Sequence, residues 1–287
     1  MKDWTRQKET DQNTIWHFTR IEALPKILSA TGVGLLSSHV RFLEDPADGD
    51  ICRPIAEEAG EVLFHLMEQT KELHGDQAVK RMRELANLGI KLSMFVTCFC
   101  KEIDSPFMWR VYTRSGGCAI GFRKNSLVEN LVAPRFRVIK SDECSYPPSM
   151  ENAKREFDVQ KKKMLDLFCA RMAFSVKDDS KQSALMDSFS SLYQLAIKSL
   201  FVKNRFFRDE KEFRIVQSPL LSDGLKDLIW VDGKPRLPLK TKIPLAEMVE
   251  EIVVSPLGNV QQNMSTALLV SEATGIDCQK VRVYSPS

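Results

Sequence analysis

The stretch "KLSMFVTCFC", residues 91–100, constrains the fold more than any other part of the chain. Its apolar residues run almost without interruption instead of alternating, so a strand formed here must be covered on both faces. It is far shorter than the roughly 20 apolar residues a membrane-spanning helix needs, and no other stretch approaches that length. The run therefore predicts the central strand of a sheet. The rest of the chain has to supply layers on either side of it.

Strand signals lie on both flanks and helical signals between them. "NTIWHFT" (13–19) reads as a short strand. In "RIEALPKILSATGVGLLS", Ile21, Leu24, Ile27 and Leu28 fall at helical spacing, Pro25 suits a first turn, and Gly32 and Gly34 act as stops. "SHVRFLEDPADGD" predicts a brief strand running into an acidic loop, and residues 54–88 a helical region broken at Gly75. "SPFMWRVYT" predicts a short helix leading through "RSGG" into a buried strand, "CAIGF". "RFRVIKSDECSYPP" predicts a strand and loop. Phe157, Met164, Leu165, Phe168 and Met172 form one helical stripe, and Leu185, Phe189, Leu192, Ala196 and Leu200 another. "KEFRIVQ", "DLIWVDGKPRLPL" with its Asp232–Gly233 turn, and "EEIVVSP" are strands. A helix over about 260–274 and a closing strand "KVRVYS" complete the chain. The expected fold is α+β: after a polar lead over 1–12, a single domain over 13–287 with a central mixed or antiparallel sheet. Helical insertions fall near 54–88 and 151–201.

Composition narrows the function classes. The net charge of +3, from 41 basic and 38 acidic side chains, gives no general drive toward nucleic acid or anionic membrane. Seven scattered cysteines with no CxxC pair, and only four histidines, leave no zinc-finger spacing and fit reduced thiols. The polar N-terminus "MKDWTRQKETDQN" has no signal-peptide core, so the expected location is cytoplasmic, with no membrane partner. "Walker A" and GxSxG patterns are absent, and "RSGG" lacks the order of a dinucleotide-binding turn.

Four groups of residues could carry chemistry. His17 fits either a half-buried imidazole satisfied by a backbone carbonyl or a donor to a ligand hydroxyl or phosphate, with Thr19 on the same strand face. Glu44, Asp45, Asp48 and Asp50 lack calcium-loop alternation and so point to no metal site; they fit either an Asp-Pro turn with solvated acids or, at Asp45, a loop acid aimed into a cleft. Trp109 and Tyr112, one helical turn apart before Gly116 and Gly117, suit either core packing or a wall that stacks a planar ring. Reading 206–216, "FFRDEKEFRIV", as one strand places Glu210, Glu212 and Arg214 on one face and Lys211, Phe213 and Ile215 on the other. A nearby guanidinium would hold a carboxylate ionised, which suits a fixed anion better than a general acid. "KRMRE", "KKK" (161–163) and "KNRFFR" (203–208) offer a competing account as a nucleic-acid-binding or -processing protein. A non-catalytic sensor or interaction module is a third.

Taken in order, "WHFTRIEALPKIL", "RFLEDPADGD", "FVTCFCKEIDSPFMWRVYTRSGGCAIGF", "RFFRDEKEFRIV", "VEEIVVSPLG" and "KVRVYS" resemble the blocks of the bacterial family called domain of unknown function 2971, over nearly the whole chain. Two departures stand out: Glu-Asp-Pro-Ala replaces Asn-Asp-Pro-Phe in the loop, and Cys100 stands where serine is common. The early histidine, "IEALPKILSATGV" and the late Glu-x-Glu strand are also similar to the layout of ADP-ribosyltransferases, which implies a split sheet and NAD as substrate. That resemblance implies that His17, with Thr19, holds a ribose and that Trp109 or Tyr112 stacks nicotinamide. It makes Glu212 catalytic, Glu210 its accessory acid and Arg214 part of the binding site. It further implies ADP-ribose transfer or NAD hydrolysis, in a toxin or phage-defence setting, with a nucleotide ligand and an open choice of protein or nucleic-acid acceptor.

Overall fold

The computed structural model describes residues 13–43, 49–69, 94–113, 116–134, 137–174, 178–219 and 226–285. The strand expected at 91–100 is β3 (Phe95–Cys100), and it is buried along most of its length. One edge of β3 carries β6 (Glu212–Pro219) antiparallel, from Phe95↔Gln217 to Cys100↔Glu212, and β5 (Arg137–Glu143) covers the far edge of β6.

The other edge of β3 is shared by two strands. β1 (Thr14–Arg20) meets it at Trp16↔Cys100, and β2 (Leu36–His39) at Ser38↔Val96 and His39↔Phe95. From β1 the sheet continues through β4 (Gly117–Arg123), β9 (Val249–Val254) and the parallel β10 (Val281–Val283). From β2 it continues through β8 (Lys234–Pro238) and β7 (Ile229–Val231). The ten strands form one connected sheet of mixed orientation that forks at β3. Between the branches, Thr97, Cys98 and Phe99 have no ladder partner on the forked edge among the described residues.

Helices cover both faces, as the two-sided burial of β3 requires. Among the described residues the helices are α1 (Leu24–Leu28), α2 (Cys52–Gln69), α3 (Pro106–Tyr112), α4 (Lys124–Glu129), α5 (Met150–Phe174), α6 (Asp178–Ser199) and α7 (Val260–Thr274). α2 lies largely in the helical region expected near 54–88, whose residues 70–88 are outside the described residues, and α5 and α6 fall in the one expected near 151–201. Ile55 and Ala59 of α2 pack with Leu192 and Ala196 of α6 over Val96 and Val216. On the opposite face Phe99, Phe213 and Ile215 meet Leu24 and Ile27 of α1 and Ala267 and Val270 of α7. A fully buried phenylalanine such as Phe99 contributes about 1.5–3 kcal/mol over an exposed one. Local signals agree with these ends: Pro106 opens α3 behind the Ser105 cap, and Gly275 at φ 73° closes α7.

The start of "FFRDEKEFRIV" departs from expectation. Arg205–Glu210 is a 3-10 helix, capped by the Asn204 side chain, which accepts from the Phe206 amide. Lys211 then takes a left-handed conformation, φ 41° and ψ 54°, and the strand begins only at Glu212. Glu210 is therefore not on the strand. A capped turn outcompeted the extended alternation that the sequence suggests.

Gly117, where β4 begins, is set by packing. A Cβ there would lie 2.9 Å from Thr113 Cβ and closer still to the Thr19 carbonyl. Gly117→Ala is expected to cost about 1–3 kcal/mol through overpacking, read as a lowered denaturation midpoint at unchanged slope.

Candidate functional site

The fork in the sheet opens into a cleft of about 430 Å³, within the usual range for small-molecule sites. Because Trp16, Cys100 and Glu212 lie side by side across three strands, they share one face of the sheet. His17, one residue on, faces the other side and rests edge-on against Phe99, with ring centroids 5.8 Å apart. In a continuous sheet His17 and Glu212 would be walled off from each other. The gap beside Thr97–Phe99 removes that wall, and both residues line the cleft.

His17 occupies the gap directly. Its Nδ1 lies 3.3 Å from the Cys98 carbonyl, in the stretch of β3 edge that neither β1 nor β2 pairs with. A carbonyl accepts only, so Nδ1 carries the proton. Burial lowers the pKa of His17, which keeps the ring neutral and leaves Nε2 with a lone pair. The carbonyl-satisfied and ligand-facing accounts of His17 are compatible, one nitrogen serving each.

Opposite stands a cluster of four buried charges. Arg214, 0% exposed, sends Nε to Glu212 Oε1 and Nη2 to Glu212 Oε2, each at 2.9 Å, and Nη1 to the Leu200 carbonyl at 2.7 Å. Lys203 Nζ bridges Glu210 Oε2 at 2.6 Å and Glu212 Oε2 at 2.9 Å. Lys203 is itself positioned by its amide, which donates to the Ser145 carbonyl at 3.0 Å. Burial alone would push the Glu212 carboxyl up. The charges of Arg214 and Lys203, with the hydrogen bonds from Arg214 and the Cys98 thiol, outweigh burial and hold it down to about 2. Burial, with the Glu212 charge adding to it, pushes the Cys98 thiol well up, so it stays protonated and donates. The left-handed turn at Lys211 brings the two glutamates onto one ammonium. Non-glycine residues in that region tend to sit where surrounding structure enforces them, often at functional sites.

The seven residues singled out in the sequence divide. His17, Tyr112, Glu210 and Glu212 line the cleft. Arg214 lies behind Glu212 and does not reach it. Trp109 does not line it either: it is 5% exposed, donates from Nε1 to the Ile103 carbonyl at 2.8 Å and packs edge-on against Phe18 with centroids 5.0 Å apart. Thr19 lies beyond the lining, opposite Cys118. Gly116 and Gly117 are not in the lining, and a Cβ at either would meet Asn263 or Thr113. Glu44, Asp45 and Asp48 lie outside the described residues, and Asp50 pairs with Arg53 at 3.1 Å.

Other cleft residues were not legible as such. Lys203 and Phe207 come from "KNRFFR", where the sequence suggested a solvent-facing basic and aromatic patch. Lys203 is instead 4% exposed, with its Nζ 4.9 Å from the centre of the Phe207 ring, while Phe206 is 80% exposed. Lys234 and Arg236 of β8 complete the far wall. The tight Asp232–Gly233 turn was the one signal near them.

Residues 108–215 match the model of a family described as a protein of unknown function (DUF2971). The span runs from α3 to β6 and takes in Tyr112, Lys203, Glu210, Glu212 and Arg214. The blocks before and after it, which the sequence resemblance also included, are not part of the match. No curated protein and no solved structure matches the chain. Among the described residues, no helix is long and apolar enough to cross a membrane.

Proposed function

We propose that this protein binds a nucleotide of NAD type in the forked cleft, and transfers its ADP-ribose or hydrolyses it. The observation that carries this reading is the convergence of His17, Tyr112, Glu210 and Glu212 on one cleft, from segments up to 195 residues apart in the chain. In this reading His17 Nε2 accepts a hydrogen bond from a ribose hydroxyl. Tyr112 and Phe207 supply the apolar surface for the nicotinamide ring, in place of Trp109, which braces α3 from behind. The bond between C1′ and the ring nitrogen breaks heterolytically, and nicotinamide leaves neutral with the electron pair. The oxocarbenium-like centre left at C1′ is stabilised at close range by the Glu212 and Glu210 carboxylates, which line the cleft while Arg214 lies behind them, although the cluster is balanced overall. Water or an acceptor nucleophile then adds to C1′ and loses its proton. Arg214 binds no ligand in this scheme; it fixes Glu212 and keeps it ionised.

Nicotinamide release from NAD is the test. Wild-type protein is expected to release it, and Glu210→Gln and His17→Ala to lower kcat/KM at least tenfold, about 1.4 kcal/mol, with melting temperatures reported alongside. Equal turnover in folded variants, or none by wild type with protein and nucleic-acid acceptors, overturns the catalytic reading. Binding of NAD without turnover would make the domain a sensor.

A further inference from the structure

We infer that Lys234 and Arg236 form an anion subsite in the cleft that holds the diphosphate of a nucleoside diphosphate, which deepens the proposed function and rests on it for the identity of the attached groups. Three observations carry it. First, the charges of the Lys203–Glu210–Glu212–Arg214 cluster cancel one another, and His17 is neutral. Lys234 and Arg236 are thus positive charges of the lining that no carboxylate balances: among the described residues neither has an ion-pair partner. Cations arranged in a concave site raise the local concentration of anions.

Second, the backbone presents both side chains in one direction. They stand two residues apart on β8, so both point to the same sheet face, about 7 Å apart along the strand. The hairpin behind them is tight: Asp232 at φ 50° and Gly233 at φ 72° give the twisted two-residue turn that suits paired strands. β8 is also held on its other side by β2, where Arg236 is directly opposite Ser38. Third, Ser38 itself lines the cleft, so a hydroxyl donor stands on the same face as the guanidinium. An arginine fork, an ammonium and a hydroxyl make a donor set that suits adjacent phosphate groups, because the fork can bind two oxygens at once.

The cleft then has two chemically different walls. The β8 wall takes the anionic diphosphate, and the β6 wall, with its caged carboxylates, takes the end of the ligand where positive charge develops. A ligand lying across the fork would place its reacting sugar between them.

The test measures binding of inorganic pyrophosphate, ADP and adenosine by calorimetry, using wild type and Lys234→Gln/Arg236→Gln. Both substitutions fall on a hairpin surface, and a melting temperature confirms the fold. Pyrophosphate and ADP are expected to bind wild type with affinity that falls as salt rises, and to weaken about tenfold or more in the variant, which loses two charged hydrogen-bonding groups. Adenosine is expected to bind both proteins alike. Nicotinamide release separates this inference from the catalytic one. If wild type leaves NAD intact but pyrophosphate affinity is lost in the variant, the subsite stands and the NAD reading falls. If NAD is cleaved with the same KM by the variant, the NAD reading stands and the subsite falls. Pyrophosphate affinity equal in both proteins, or binding restricted to a single-stranded oligonucleotide, also overturns the assignment.

Discussion

Arg214→Met is expected to lower the melting temperature by roughly 10 °C, the largest effect of any single substitution considered. Arg214 is fully buried and donates to both carboxylate oxygens of Glu212 and to the Leu200 carbonyl. Its removal leaves the Glu212 carboxylate, 3% exposed, to the Lys203 ammonium, which is shared between two carboxylates. Breaking a buried ion pair from one side costs about 3–5 kcal/mol, because an uncompensated charge stays in a poorly polarisable interior. In a domain of this size each kcal/mol shifts the midpoint by about 2–4 °C. Arg214→Lys is expected to recover only part of the loss, since an ammonium cannot grip both carboxylate oxygens and also reach Leu200. The double variant Glu212→Leu/Arg214→Met distinguishes stranded charge from lost packing. It should be more stable than Arg214→Met alone if the charge dominates. A single-variant cost below about 1 kcal/mol would show that water reaches the cluster.

Acid is expected to unfold the protein in two overlapping stages, both with the same sign. Glu212 has a folded pKa near 2 against an ordinary 4.5, so the folded state binds its proton less readily than the unfolded chain. The stability this provides is complete above about pH 4.5 and disappears as pH falls toward 2. A shift of that size corresponds to about 3 kcal/mol. His17 is also depressed, by burial, so protons favour the unfolded chain below its ordinary value of 6.5. Stability should therefore begin to fall below about pH 6.5 and drop more steeply below 4.5. Denaturant midpoints measured from pH 7 to pH 3 check this. His17→Gln should flatten part of the upper profile and leave the lower part; His39, held down to about 4 by burial and then by the Arg41 charge, supplies the rest of the upper part, and Glu212→Gln should instead flatten the lower part. A wild-type profile level from pH 6.5 to 4.5 would contradict the histidine assignment, and one level from pH 4.5 to 3 the Glu212 assignment.

The residues that proved legible are those whose chemistry is local. An uninterrupted apolar run can only be covered on two sides, so β3 and its central position followed from "KLSMFVTCFC". Helical stripes at 157–165 and 189–200 required partners and found them in one cluster. The Glu-x-Glu signature and His17 were visible because ionisable side chains next to strand residues are uncommon in a sheet interior. Lys203 was not legible: its neighbours in sequence are exposed, and its burial depends on an ion cluster assembled from another strand. Trp109 shows the converse. Its spacing to Tyr112 suggested a shared ring-stacking wall, yet the two sit about 60° apart around α3, enough for Trp109 to be buried against Phe18 while Tyr112 meets the cleft.

By itself the sequence determined the α+β class, the central strand, most element positions and four residues of the cleft, because each rests on periodicity or on side-chain chemistry at short range. Tertiary structure alone decided the rest. The fork arises because β1 and β2 share one edge of β3, a pairing no local pattern encodes. That fork brings His17 and Glu212, which strand alternation sets on opposite faces, into one cleft. The left-handed turn at Lys211 then draws Glu210 and Glu212 onto a single ammonium. Charge balance in a buried site is a property of which segments meet, and chain order does not record it.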